Sequence, residues 1–122
     1  MNNDMKENVL KKKSFDFALR VVTLSKYLHG EKREFTISKQ LLCAGTAVGA
    51  MVREAEFAES KSDFIHKMAI ALKEINETIY WLELLNASEY LTIPQFESIN
   101  ADAVEIIKLL TSFVKTAKSG LH

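Results

Sequence analysis

The sequence predicts an all-α fold, an antiparallel four-helix bundle of up-down-up-down topology. Three observations carry that expectation. Four segments place apolar residues at helical spacing, and three short polar breaks separate them. The 122 residues include four glycines and one proline, too few turn-formers for a β fold with many reversals. The third segment holds a seven-residue apolar repeat, and its 3.5-residue period suits antiparallel helices crossing at about +20°. The length fits one domain, which can bury roughly two-thirds of the surface its unfolded chain exposes, so neither a disulfide nor a metal is needed. The expected division is a bundle domain over residues 14–119 behind an N-terminal arm or early helix turn over 1–13.

The first helix is expected from about Ser14 to His29. Phe17, Val21, Leu24 and Leu28 fall on one face at four-three-four spacing. Phe15, Leu19 and Val22 form a second apolar stripe. Gly30 suits a left-handed helix end, and Glu31-Lys32-Arg33-Glu34 reads as a charged connector.

The second helix should run from about Ile37 to Ala58, burying Ile37, Leu41, Ala44, Val48, Met51 or Val52, and Ala55. Its middle, Ala44-Gly45-Thr46-Ala47-Val48-Gly49-Ala50, is unusually small. Glycine inside a helix costs about 1 kcal/mol relative to alanine. Close approach of another helix backbone at Gly45 and Gly49 is the simplest offset.

Ser60-Lys61-Ser62-Asp63 has the pattern of a capping box and opens the third helix. Phe64, Met68, Ala71, Ile75, Ile79, Leu82 and Leu85 then carry the heptad. Thr92-Ile93-Pro94-Gln95 opens the fourth, with Thr92 as cap and Gln95 reaching back. Phe96, Ile99, Ala103, Ile106, Leu110 and Phe113 line its inner face, and Gly120 ends it. Tyr80, Trp81 and Leu84 lie off the repeat of the third helix. Such surplus apolar surface fits a wide core, a subunit interface, or both.

Hydrophobic residues make up 48% and charged residues 26%, ordinary globular values that exclude disorder. Cys43 is alone, which implies a reducing compartment. Met1-Asn2-Asn3-Asp4-Met5-Lys6 has no signal-peptide core, and no apolar run is long enough for a membrane span, so the expected location is cytoplasmic. Sixteen basic residues balance sixteen acidic ones, which weighs against a dedicated polyanion binder. The balance is uneven. Residues 1–61 hold eleven Lys/Arg against eight Asp/Glu, and residues 62–122 hold five against eight. No Lys or Arg occurs from Ile75 to Ile107.

At Val48-Gly49-Ala50-Met51-Val52-Arg53-Glu54-Ala55 and Ser60-Lys61-Ser62-Asp63-Phe64-Ile65, the chain resembles bacterial four-helix bundle proteins encoded in 23S rRNA intervening sequences. The resemblance continues through Ala71-Leu72-Lys73-Glu74-Ile75-Asn76-Glu77-Thr78 and Trp81-Leu82-Glu83-Leu84-Leu85, and covers about Ser14 to Lys115. It implies a small bundle assembling into a ring, a homopentamer, with no enzymatic activity and no cofactor. The chain is also similar to the accessory protein of diversity-generating retroelements, a basic pentamer that binds nucleic acid. Many family members carry Asn-Ile-x-Glu-Gly where this chain has Met51-Val52-Arg53-Glu54-Ala55. Glu54 matches, while Met51 and Ala55 make the stretch more core-like.

Four constellations bear on chemistry. Asp63 and His66 echo half of a di-iron carboxylate-x-x-His motif, but such sites need two motifs and two further carboxylates. The expectation is therefore a helix N-terminus capped by Asp63, with no metal. Glu54, Glu74 and Glu77, with Arg53, Lys73 and Asn76 as partners, are candidates for a polar network that fixes register; the plainer reading points each to solvent. No nucleophile, base or phosphate loop accompanies them, and no catalytic residue or small-molecule substrate is expected. Cys43 is expected to be a small packed hydrophobe. Lys6, Lys13 and Arg20 repeat every seven residues beside Lys11 and Lys12, a basic stripe that symmetry would multiply if the first helix starts early enough. The resulting expectation is a non-enzymatic homo-oligomeric module that binds RNA or another polyanion through this stripe. The alternative is a protein-interaction scaffold with no nucleic-acid role.

Overall fold

The computed structural model describes residues 3–120 and contains α1 (Asn3–Gly30), α2 (Ile37–Glu56), α3 (Lys61–Ala87) and α4 (Ile93–Ser119), with no strand among the described residues. Each helix packs on its two neighbours around a square, α1 on α2, α2 on α3, α3 on α4 and α4 on α1, and among the described residues the backbones of diagonal helices do not approach closely. The chain is thus an antiparallel four-helix bundle, as the periodicity predicts.

The core is the line of inward residues on all four helices. Phe17 and Val21 of α1, Leu41 and Val48 of α2, Ile75 and Leu82 of α3, and Ile106 and Leu110 of α4 are each at most 1% exposed. Val52, rather than Met51, takes the buried position near the end of α2. Leu24 is only partly buried.

Of the residues 1–13 expected as an arm or early turn, helix α1 takes in 3–13, and residues 1 and 2 lie outside the described ones. Leu10 lies seven residues before Phe17 and is fully buried, which extends the inner row by a heptad. The lysines around it hide that continuation in the sequence. Ser14 is buried too, and its hydroxyl donates to the Lys11 carbonyl at 3.1 Å, which satisfies it.

The end of α1 differs from expectation. Gly30 does not adopt a positive φ; the left-handed residue is Arg33, at φ 55°. The reason lies one residue further on. Glu34 is buried, and its carboxylate accepts from the backbone N–H groups of Thr36 (3.1 Å), Ile37 (2.9 Å) and Ser38 (2.7 Å). Turning the chain at Arg33 brings that carboxylate onto the first turn of α2, where Thr36 itself makes no side-chain cap.

The other two starts follow the sequence closely. Ser60 Oγ accepts from Asp63 N–H at 3.0 Å, while the Asp63 carboxylate reaches Glu59 N–H at 3.2 Å, one residue beyond the usual return bond. Thr92 and Gln95 form a complete capping box, at 3.2 and 2.9 Å.

Candidate functional site

The basic stripe does not form one face. Lys13 and Arg20, on the seven-residue row, turn toward α4. Lys13 Nζ lies 2.7 Å from Glu105, and Arg20 reaches Asp102 at 2.6 Å, the Ser98 carbonyl at 3.2 Å and the Ser98 hydroxyl at 3.0 Å. Lys6 sits half-buried on the same row. Lys11 turns the other way, to Glu56 of α2 at 3.0 Å, and Lys12 pairs with Asp16 at 2.8 Å on the outer surface. The hydrogen bond and the charge of Glu105 raise the Lys13 ammonium above the ordinary lysine value. The side chains in these pairs remain about half exposed or more, and pairs of this kind contribute at most about 1 kcal/mol each.

The expected polar network does not close. Glu54 pairs with Lys67 at 3.1 Å rather than with Arg53. Asn76 Nδ2 donates to the Leu72 carbonyl at 2.9 Å, and Glu77 accepts from the Trp81 indole N–H at 3.4 Å. Glu74 contributes its backbone carbonyl, which accepts from the Thr78 hydroxyl. They lie on the flanks of α2 and α3, where Asn76 and Glu77 find partners within α3 and Glu54 finds one across to it. Arg53 is exposed and holds no ion pair among the described residues.

The small-residue segment of α2 meets α1 at both glycines. A Cβ on Gly45 would stand 2.8 Å from both γ-methyls of Val21, and one on Gly49 would stand 3.3 Å from the Ser14 carbonyl oxygen. Outside this contact the two helices leave a shallow groove of about 380 Å³, lined by Phe15, Ala18, Thr46, Ala50 and Arg53 among others. Phe15, of the second apolar stripe of α1, lines it and is 52% exposed; Leu19, one turn further along the stripe, is 53% exposed. Phe57, at the end of α2, is 77% exposed. On α3, Tyr80 is 57% exposed and meets Trp81 edge to face at 4.9 Å.

Cys43, expected to be packed, is exposed, because the buried row of α2 passes through Leu41 and Ala44 on either side of it. The N-cap of α3 is Ser60 rather than Asp63, whose carboxylate accepts from Glu59 N–H just before the helix, and His66 is exposed. Among the described residues, no group of three or more His, Cys, Asp and Glu side chains is placed to hold a metal ion. None of the described helices is long and apolar enough to cross a membrane.

Comparison with known proteins points to one family. The profile of the 23S rRNA-intervening sequence protein matches residues 6–112. A crystal structure of a protein of unknown function from the S23 ribosomal protein family of Bacteroides thetaiotaomicron is 58% identical. It covers 90% of this chain and 98% of its own, with a TM-score of 0.89. No curated protein matches the chain.

Proposed function

The chain belongs to the 23S rRNA-intervening sequence protein family, and from that premise we propose that it works in the cytoplasm as a non-enzymatic, homo-oligomeric binding module. The observation that carries this reading is the apolar surface left outside a bundle whose core is already closed. Phe15, Leu19, Phe57 and Tyr80 are each more than half exposed, on α1, the end of α2 and α3. Contiguous exposed apolar side chains mark surfaces that pair with protein, and Phe15 and Leu19, one turn apart on one face of α1, are such neighbours. Sedimentation of the intact chain tests the reading. A defined oligomer, with a homopentamer as the specific expectation, supports it, and a monomer at tens of micromolar overturns it.

RNA or another polyanion is a second reading, favoured by the exposure of the ion pairs on α1. Each is weak enough to exchange its carboxylate for a phosphate, and an oligomer would repeat the stripe. Binding of this kind weakens steeply with salt, and removing one phosphate-binding cation lowers the log–log slope by roughly one unit, or less on single strands. Replacing Lys6 and Lys12 by Glu leaves the pairs between helices intact, so it tests the stripe without loosening the bundle. Loss of RNA binding at unchanged helicity supports the reading. Absence of RNA and DNA affinity in the parent at low salt leaves the scaffold role alone.

A further inference from the structure

We propose that α4 masks the basic row of α1: Asp102 and Glu105 hold Arg20 and Lys13 in the places phosphates would take, so an incoming RNA strand must displace them. This rests on the polyanion reading above and adds what restrains it.

The row suits a long anion but is already occupied. Lys13 and Arg20 stand seven residues apart on one face of α1, and Asp102 and Glu105 stand three apart on the side of α4 that meets it. The Lys13 ammonium lies 2.7 Å from Glu105, and the charges of Asp102 and Asp16 add to that bond in favouring its protonated form. Arg20 is engaged at two nitrogens. Nη1 donates to Asp102 at 2.6 Å and to the Ser98 carbonyl at 3.2 Å, and Nη2 donates to the Ser98 hydroxyl at 3.0 Å. Carboxylate and phosphate oxygens make the same charge-assisted bonds to ammonium and guanidinium groups, so α4 supplies an internal substitute for the ligand.

These bonds lie within reach of solvent. The side chains of Lys13 and Arg20 are 43% and 42% exposed. Between the two helices lies a cleft of about 140 Å³, lined by Lys13, Asp16, Asp102 and Glu105 beside the buried Phe17 and Ile106. Exposed pairs of this kind are weak enough for a phosphate to replace the carboxylate. The contact of α1 with α4 is also the least extensive of the four, so little packing resists an adjustment of α4 as the pairs change partners.

The mask is local and does not depend on total charge. Glu83 on α3 and Glu89 in the following loop are exposed acids with no ion pair among the described residues. Helix α3 is diagonal to α1, so these acids carry the same charge without holding the row.

The test compares the parent with the double variant Asp102→Asn/Glu105→Gln, by anisotropy of a labelled single-stranded RNA over a range of salt. Both substitutions keep side-chain size at exposed positions, so helicity should be unchanged. The parent should bind weakly. The double variant should bind roughly five- to thirty-fold more tightly, the scale of two weak pairs that each leave their cation free for part of the time. Its log–log salt slope should steepen by up to about two units, one for each cation released. Each single substitution should give part of the gain, and adding Lys13→Gln should take part of it back. Glu83→Gln/Glu89→Gln serves as the control for charge. At about 0.1 M salt, where screening acts over about 10 Å, it should change affinity less than about twofold. A parent without affinity for RNA or DNA at low salt overturns the polyanion reading and this proposal together. A parent that binds RNA, with a double variant that binds no better than it or than the control, overturns the mask and leaves the polyanion reading standing. A gain that Lys13→Gln does not diminish overturns Lys13 as a masked cation.

Discussion

Glu34 shows how much one side chain can fix. Three backbone N–H groups at the start of α2 converge on its carboxylate, and Ser38 returns a bond from its hydroxyl to the Glu34 carbonyl at 2.8 Å. Burial pushes the carboxyl up, but the bonds from Ile37, Ser38 and Thr36 outweigh it and hold the group below its ordinary value of 4.5. A carboxylate with a depressed folded-state value adds stability that is present in full above 4.5 and is lost as pH falls through the lower, folded value. Replacing Glu34 by Ala should cost roughly 1–2 kcal/mol at pH 7, the scale of a lost cap with its donors left unpaired. Urea unfolding of parent and variant should show that difference shrinking below pH 4.5; a gap that is constant down to the acid transition would show that the charge contributes nothing. Residue-level chemistry was legible in the sequence where it is local. Thr92 and Gln95 announce their box by spacing alone, whereas Glu34 depends on a left-handed Arg33, for which the sequence carries no glycine or asparagine signal.

At the scale of the element, α2 and α3 place opposite demands on their residues. Helix α2 uses the absence of side chains: at Gly45 even one methyl would stand 2.8 Å from the stiff, buried branches of Val21. Gly45→Ala gains about 1 kcal/mol of helix propensity, yet it should still destabilise by about 1–2 kcal/mol because overpacking outweighs the gain. A variant that unfolds at higher denaturant than the parent would show that α1 can yield at Val21. Gly49 faces a carbonyl at 3.3 Å, a tighter-than-usual contact with less to displace, so Gly49→Ala should be milder. Helix α3 uses bulk instead. Ile75 is fully buried, and Ile75→Ala should cost about 2–5 kcal/mol by chemical denaturation. The heptad predicted this centre of α3 correctly and its edges less well. Phe64 and Ile79 are only partly buried, and the enclosed neighbours are Ile65 and Thr78. Thr78 can be buried because its hydroxyl donates back to the Glu74 carbonyl at 2.7 Å, a satisfaction that a hydrophobic pattern does not register.

For the whole molecule, the fold was legible because each helix carries its own apolar row, while the surface was not, because ion partners come from distant helices. Nothing in the spacing of Lys13 and Arg20 signals that Glu105 and Asp102 wait on α4. These exposed pairs should matter little to stability: Arg20→Ala should cost less than about 1 kcal/mol, and a larger loss by denaturant titration would mean that the pair and its Ser98 bonds act together. The same pairs bear on the order in which the bundle forms. Three of its four helix contacts are hairpins closed by loops of four to six residues, at 31–36, 57–60 and 88–92. The fourth, between α1 and α4, joins partners as far as 92 residues apart and is the least extensive of the four. Closure entropy rises with the length enclosed, by about 0.6 kcal/mol per doubling, so this seam bears the greatest entropic cost and has the least packing to offset it. Contacts otherwise so local give fast folding, and amides along the α1–α4 edge should exchange before those between α2 and α3. The bundle behaves as a strip of hairpins rolled into a tube, and the tube unrolls along its one long-range edge.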